Sequence, residues 1–177
     1  MYLTERTVVN TLRREYKNWI AVLTDEEKFS IRKYTYNSLE DGPMPFFKRL
    51  NMMLRGEYNK ADSNMLAGYA EIISHAIHKH SLQQNIICYR GMDINPIKGF
   101  KIGTEFTWDQ FVSTSVVRKK ALKRKYLYII KAPQGTKGAY IEELSVIPSQ
   151  REFLLDSSCI YRVLSMKENV VELEVVV

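Results

Sequence analysis

The sequence predicts a mixed α+β protein. Apolar residues recur at helical spacing from the N-terminus to about Lys79, and after Gln84 the chain turns into short β-branched and aromatic runs bounded by Gly, Pro or Asn. No helix of crossover length separates those runs, so the sheet they form is expected to be antiparallel or mixed, not parallel.

The first helix is expected from about Thr4 to Leu23, where Val8, Leu12, Trp19 and Leu23 fall at spacings near 3.6 and its multiples. A second follows at once in "LTDEEKFSIRKYTYNSL". Thr24 reads as its N-cap, Glu27 three residues later completes a capping box, and "EDGPMP" ends it. A third runs from about Phe46 to Arg55, and a fourth from about Ser63 to Lys79 after "GEYNKADS". The strand-like runs are "IICYRG", "EFTWD", "FVSTSVV", "YLYIIKA", "GAYIEE", "REFLLD", "CIYRVLSM" and "VVELEVVV"; the last two, joined by "KEN", read as a hairpin. With no internal repeat, low-complexity tract or Gly/Ser-rich linker, residues 1–177 read as one domain, with a helical lobe to about 82 and a β core from about 85.

A chain of 177 residues buries roughly 70% of its unfolded surface. Its 45% hydrophobic content, with only 8 Gly and 5 Pro, excludes disordered, collagenous and disulfide-stapled classes. No apolar run reaches the length of a bilayer span, and the N-terminus mixes charged and apolar residues where a signal peptide would be apolar. A cytoplasmic location in the producer, or export after loss of a leader, both stay open. Cys88 and Cys159 lie in apolar strand-like segments and read as buried thiols. The formal charge of +6 favours phosphates, nucleic acid or an acidic protein as partner. The densest basic run, "RKKALKRK" at 118–125, carries six charges in eight residues, and is either a solvated loop or a wall facing a ligand. In "HAIHKH", His75 and His78 have no nearby Cys or carboxylate ligand set, so no metal is expected.

Three motifs carry candidate chemistry. "CYRG" puts Arg90 at a strand end before a glycine that allows close approach of a ligand; its fork of donors suits phosphate oxygens, and a surface ion pair is the alternative. "FVSTSVV" sets Ser113, Thr114 and Ser115 in an apolar strand, where their hydroxyls need partners on neighbouring strands or on a polar group in the same cleft. "SQREFLLD" puts Gln150 and Glu152 on the same side of an extended chain, Arg151 pointing away, just before a run that enters a core. A solvent-facing edge would account less well for that apolar run.

Taken in this order, Arg90, the Ser113-Thr114-Ser115 strand and the Gln150/Glu152 pair resemble the motifs of the clostridial-type bacterial mono-ADP-ribosyltransferase toxins, most of all the single-domain Rho-inactivating exoenzymes. "LTDEEKFSIRKYT" resembles their second-helix signature, "LNMMLRG" their Asn-x-x-Leu-Arg-Gly helix, and "GTKGAYIEEL" the strand before their catalytic loop. The resemblance implies two roughly perpendicular, mainly antiparallel sheets with a helical lobe packed on them and NAD, as substrate, in the cleft between. It implies that Arg90 contacts NAD phosphate and ribose, that the Gly91 backbone holds the nicotinamide amide, and that Ser113, within the Ser-Thr-Ser strand, orients Glu152. Glu152 would grip the nicotinamide ribose and stabilise the cation formed when the glycosidic bond breaks. Asn51 and Arg55, four apart on one helical face, would reach the NAD phosphates. A secreted or host-delivered, monomeric enzyme is implied.

Members that modify arginine carry a glutamate where this chain has Gln150. An amide cannot activate a guanidinium, but it can pair with another amide or with the edge of a guanine. The expected acceptor is therefore an asparagine or glutamine side chain, with a Rho-like GTPase among the candidate proteins; guanine in nucleic acid and a non-catalytic docking copy of the fold are the alternatives. Two positions depart from the family's pattern: Ile147 stands where Rho-directed members usually show an aromatic residue, and Leu122 stands nearest the position where relatives often stack a Phe.

Overall fold

The computed structural model describes residues 1–39 and 42–177. Four helices come first: α1 (Glu5–Val22), α2 (Asp25–Tyr34), α3 (Phe46–Leu54) and α4 (Ser63–His78). Apart from the end of α2, they start and stop close to where periodicity and capping put them. α1 buries Val8, Leu12, Tyr16 and Trp19, one helical stripe in which a tyrosine fills the turn between Leu12 and Trp19. At α2 the capping box is complete: Glu27 N donates to the Thr24 hydroxyl, and Thr24 N donates to Glu27 Oε2 at 2.8 Å.

α2 ends sooner than its sequence predicts. Its C-cap is Thr35, whose hydroxyl donates to Arg32 O at 2.7 Å and accepts from Val146 N at 3.1 Å, so a tertiary contact arrests the helix well before "EDGPMP". Within that predicted stop signal, Glu40 and Asp41 lie outside the described residues.

Eight strands follow: β1 (Ile86–Met92), β2 (Glu105–Thr107), β3 (Val112–Ser115), β4 (Tyr126–Ala132), β5 (Gly138–Tyr140), β6 (Glu152–Leu155), β7 (Ile160–Lys167) and β8 (Val170–Val176). Their order across the sheet is β2-β7-β8-β4-β1-β3-β6-β5. Every pairing is antiparallel except β4 with β8. β7 and β8 form the expected hairpin, with Lys167 opposite Val170 and Glu168 turning the chain at φ 52°. The two sheets implied by the motifs are joined by hydrogen bonding: between β1 and β3 one registered pair, Tyr89 with Ser115, links β2-β7-β8-β4-β1 to β3-β6-β5.

The lobe and the strands share one core. On α1, the Tyr16 hydroxyl donates to Gly138 O at 2.8 Å and the Trp19 indole to Ala76 O at 2.7 Å, so both large rings bury their area with their polar ends satisfied. Tyr16 also meets Phe153 of β6 edge to face at 6.1 Å. Phe153, Leu154 and Leu155 are fully buried, each contributing about 1.5–3 kcal/mol by transfer from water, and so β6 is a fixed support for whatever precedes it. Cys88 and Cys159 are free and buried, and burial pushes both thiols up to about 12. No described helix is long and apolar enough to cross a membrane.

Candidate active site

β3 supplies three hydroxyls, and the pleat separates them. Thr114 donates to Phe153 O at 2.6 Å across the β3–β6 ladder, and Ser115 bonds both backbone groups of Val117, so these two serve the sheet. Ser113 shares its face with Ser115, opposite Thr114, and its hydroxyl meets the Glu152 carboxyl and the Tyr34 phenol. The ladder aligns Ser115 with Glu152 and Ser113 with Leu154, so the carboxyl and the Ser113 hydroxyl meet on the diagonal.

Glu152 is 6% exposed. Burial raises its carboxyl to about 6, while the Ser113 hydrogen bond and the Arg90 charge pull in the opposite direction. It is ionised at neutral pH but held in an environment that resists the charge, so a cation beside it is strongly favoured. Arg90 lies on β1 opposite Tyr128, and its Nη1 donates to Ser113 O at 2.7 Å. The strand runs on to Met92, so Arg90 and Gly91 sit within a ladder and not at a strand end as the motif implied. Burial draws the guanidinium below its usual range, against the opposing pull of Tyr34, Tyr161 and Glu152.

The helical wall is built on Tyr34 and Asn51. Asn51 Nδ2 donates to the Tyr34 hydroxyl at 2.9 Å and to Phe111 O at 3.2 Å. Burial pushes the Tyr34 phenol up to about 12, so it is a neutral link between Asn51 and Ser113. Asn51 Oδ1 is buried with no hydrogen-bond partner among the described residues, an acceptor available to a donor entering the cleft. Arg55 is not brought in. It caps α3, its Nη1 bonds Gln110, and its Nε and Nη2 hold Glu57 at 3.0 and 2.5 Å.

Gln150 and Glu152 do face one cleft, by a different route from the extended chain expected. Pro148–Gln150 is a 3-10 turn and Arg151 is left-handed at φ 52°, ψ 48°, a conformation that costs a residue with Cβ about 1–2 kcal/mol. That single residue turns the chain from loop to strand, and the Arg151 side chain leaves the cleft to pair with Glu142. Sequence reasoning missed Glu142 together with Arg13 and Tyr34; the visible signal was a glutamate following an apolar strand, "AYIE", with no assigned partner.

The walls enclose about 370 Å³, lined by Tyr34, Asn51, Arg90, Gly91, Ser113, Thr114, Ser115, Gln150 and Glu152, with Ile147 at the lip. Lys120, Ala121, Leu122 and Arg124 of the basic run close the remaining side. Gly91 is required by that closure, since a Cβ there would lie 1.9 Å from the Leu122 carbonyl oxygen. Among the described lining residues Glu152 is the one carboxylate. The three histidines near the α4 end pair with separate carboxylates, His75 with Glu27, His78 with Asp156 and His80 with Glu15, and no group of three metal-ligating side chains occurs among the described residues.

A helical lobe on a mixed sheet, with an arginine, a Ser-Thr-Ser strand and a Gln-x-Glu pair around one cleft, defines the ADP-ribosyltransferase class. The family model for ADP-ribosyltransferase exoenzymes matches residues 13–175, and the chain belongs to that family of NAD-dependent mono-ADP-ribosyltransferases. It is similar to the NAD(+)--arginine ADP-ribosyltransferase EFV of Enterococcus faecalis, 29% identical over 176 residues, covering 93% of this chain and 34% of that protein. The chain thus spans about a third of the length of this curated relative. Among solved structures it resembles Plx2a, an ADP-ribosyltransferase toxin from Paenibacillus larvae, at 25% identity and TM-score 0.80, covering 99% of this chain and 98% of that one. An ADP-ribosyltransferase from Clostridium botulinum has 21% identity and TM-score 0.75 (99% of each chain), and C3stau2 from S. aureus, solved with NAD, has 19% identity and TM-score 0.78 (99% and 98%); both share the fold. NAD is the substrate of the family.

Proposed function

We propose that the protein transfers ADP-ribose from NAD to the side-chain amide of an asparagine or glutamine in an acceptor protein. One observation carries this reading: the cleft has a single carboxylate among its described lining residues, Glu152, and the residue beside it at the mouth is an amide, Gln150. In the proposed reaction the bond between nicotinamide nitrogen and ribose C1′ breaks, and nicotinamide leaves with the electron pair. Glu152 faces the cationic sugar that remains. The acceptor nitrogen then forms the new bond to C1′ and gives up a proton. Gln150, with one donor and one acceptor edge, holds the incoming amide in register. In the same reading Arg90 binds phosphate and ribose, the Gly91 backbone the nicotinamide amide, and Ser113 orients Glu152 from within the Ser113-Thr114-Ser115 strand. Asn51 Oδ1 accepts from the dinucleotide. Arg55, engaged with Gln110 and Glu57, takes part only if NAD draws it away from them.

Arginine is the second reading, favoured by the name of the Enterococcus relative. Against it stands the chemistry of a guanidinium, which needs an anion or base beside the acceptor subsite to become nucleophilic. Similarity to a toxin from Paenibacillus larvae fits an enzyme that acts on a target cell, with a Rho-like GTPase as one candidate acceptor.

Incubating the protein with labelled NAD and a host-cell lysate, followed by mass spectrometry of both protein and nucleic-acid fractions, tests the proposal. Label on asparagine or glutamine is the expected result. Label confined to arginine, or to guanine, overturns it.

A further inference from the structure

Arg151 is the hinge of the site, and its side chain meets Arg13 and Tyr140 on one carboxylate, Glu142. Glu142, just beyond β5, is 9% exposed and receives Arg13 Nε at 2.9 Å and Nη2 at 2.8 Å, a two-pronged clamp from α1. Its Oε2 also accepts from the Tyr140 hydroxyl at 2.8 Å, and its Oε1 pairs with the Arg151 guanidinium. A surface ion pair would mean little, but here the carboxylate is nearly buried and bound by three side chains from separate elements.

The two active residues are anchored unequally. Glu152 belongs to β6, opposite Ser115, and its carbonyl accepts from Ile141 N at 3.1 Å. Gln150 precedes the hinge, in a turn closed by Gln150 N to Ile147 O at 3.1 Å and Arg151 N to Pro148 O at 3.1 Å. Where Gln150 points therefore depends on the left-handed backbone of Arg151, which a residue with Cβ does not prefer.

We propose that Glu142 is a positioning residue for ADP-ribosyl transfer: by clamping the Arg151 side chain it holds the left-handed turn that aims Gln150 at the acceptor, while Glu152 keeps its place through the sheet. The inference rests on the amide-acceptor reading of Gln150. It separates two outputs of one cleft, since of this pair NAD cleavage needs Glu152 and transfer needs Gln150 in register with it.

Three variants test it: Glu142→Gln, Arg151→Gly and the two combined, each checked for native circular dichroism and thermal unfolding. Glu142→Gln is expected to keep NAD glycohydrolysis within about threefold while labelling of lysate protein from labelled NAD drops about tenfold or more. Glycine takes φ 52° without strain, so Arg151→Gly is expected to retain transfer, and adding it to Glu142→Gln to restore transfer to within about threefold. Hydrogen–deuterium exchange over residues 143–151 reads the hinge without any acceptor: faster exchange in Glu142→Gln, with 152–155 unchanged, is expected. Parallel loss of glycohydrolysis and transfer, failure of the glycine to rescue, or unchanged exchange across 143–151 would overturn the proposal. A native protein that labels only arginine would instead overturn the reading of Gln150, and the exchange data would still judge the clamp.

Discussion

The floor and the rim of the cleft are built on opposite principles. The floor, where β3 meets β6, carries one buried carboxylate whose neighbours Ser113 and Arg90 are set by strand register. The rim, residues 118–125, carries six exposed cations, three in a short 3-10 turn at Arg118–Lys120 and three in the irregular chain after it; Arg124, 3.4 Å from Asp93, is the one with an ion pair among the described residues. In the proposed reading a dinucleotide meets both: its phosphates suit the cations of Arg90 and the rim, and a sugar acquiring positive charge suits the fixed carboxylate. The floor is therefore committed by folding, whereas the charge of the rim can be screened by salt.

The largest effect is expected at the floor. Glu152→Gln is expected to lower NAD turnover about 10²–10³-fold in a nicotinamide-release assay, the scale of losing one aimed electrostatic group. The same change should make the protein more stable at pH 7. A carboxyl raised from 4.5 to about 6 by burial opposes folding when charged by up to about 2 kcal/mol, so the melting temperature should rise by roughly 4–8 °C.

Replacing Gln150 by glutamate sharpens the acceptor assignment. It adds the anion a guanidinium requires, and labelling should shift at least about tenfold toward arginine, read by mass spectrometry of labelled peptides. Gly91→Ala probes the seam between floor and rim: a methyl group 1.9 Å from the Leu122 carbonyl oxygen forces the loop outward, and we expect a loss of about 1–3 kcal/mol in chemical denaturation with a raised KM for NAD.

The pH profile tests the floor without mutation. The kcat/KM for NAD should halve near pH 6 and fall about tenfold per unit below it, as Glu152 takes up its proton. The stability contribution has the opposite sign: the folded carboxyl holds its proton more tightly than the unfolded one, so between about 6 and 4.5 this group adds stability as the pH falls. The smallest effect belongs to the rim. Lys119→Glu and Lys123→Glu, exposed and outside the residues lining the main cleft, should change stability by less than about 0.5 kcal/mol, and any rise in KM for NAD should shrink as salt is added.

Most of the fold was legible because its signals are local. The capping box at Thr24 and Glu27, the stripe on α1 and the β7–β8 hairpin around "KEN" each arise from residues a few positions apart, and the structure carries all three. The end of α2 was not legible, since it depends on Thr35 accepting from Val146, 111 residues away. Nor was Tyr34, which reads as an ordinary core residue until Asn51 and Ser113 are brought to its hydroxyl.

The candidate site divides in the same way. Which residue types surround the cleft was written in the order Arg90, Ser113-Thr114-Ser115, Gln150 and Glu152, because catalysis fixes chemistry, and chemistry shows in residue identity. How Gln150 and Glu152 come to face the same way was decided by tertiary structure. An alternating strand would have been enough, yet the chain uses a left-handed Arg151 tied to Glu142, and Glu142 to Arg13 across 129 residues. Sequence determines what is local, through dihedral preference and periodicity; a clamp between distant residues exists only once the core has brought α1, β5 and the loop before β6 together.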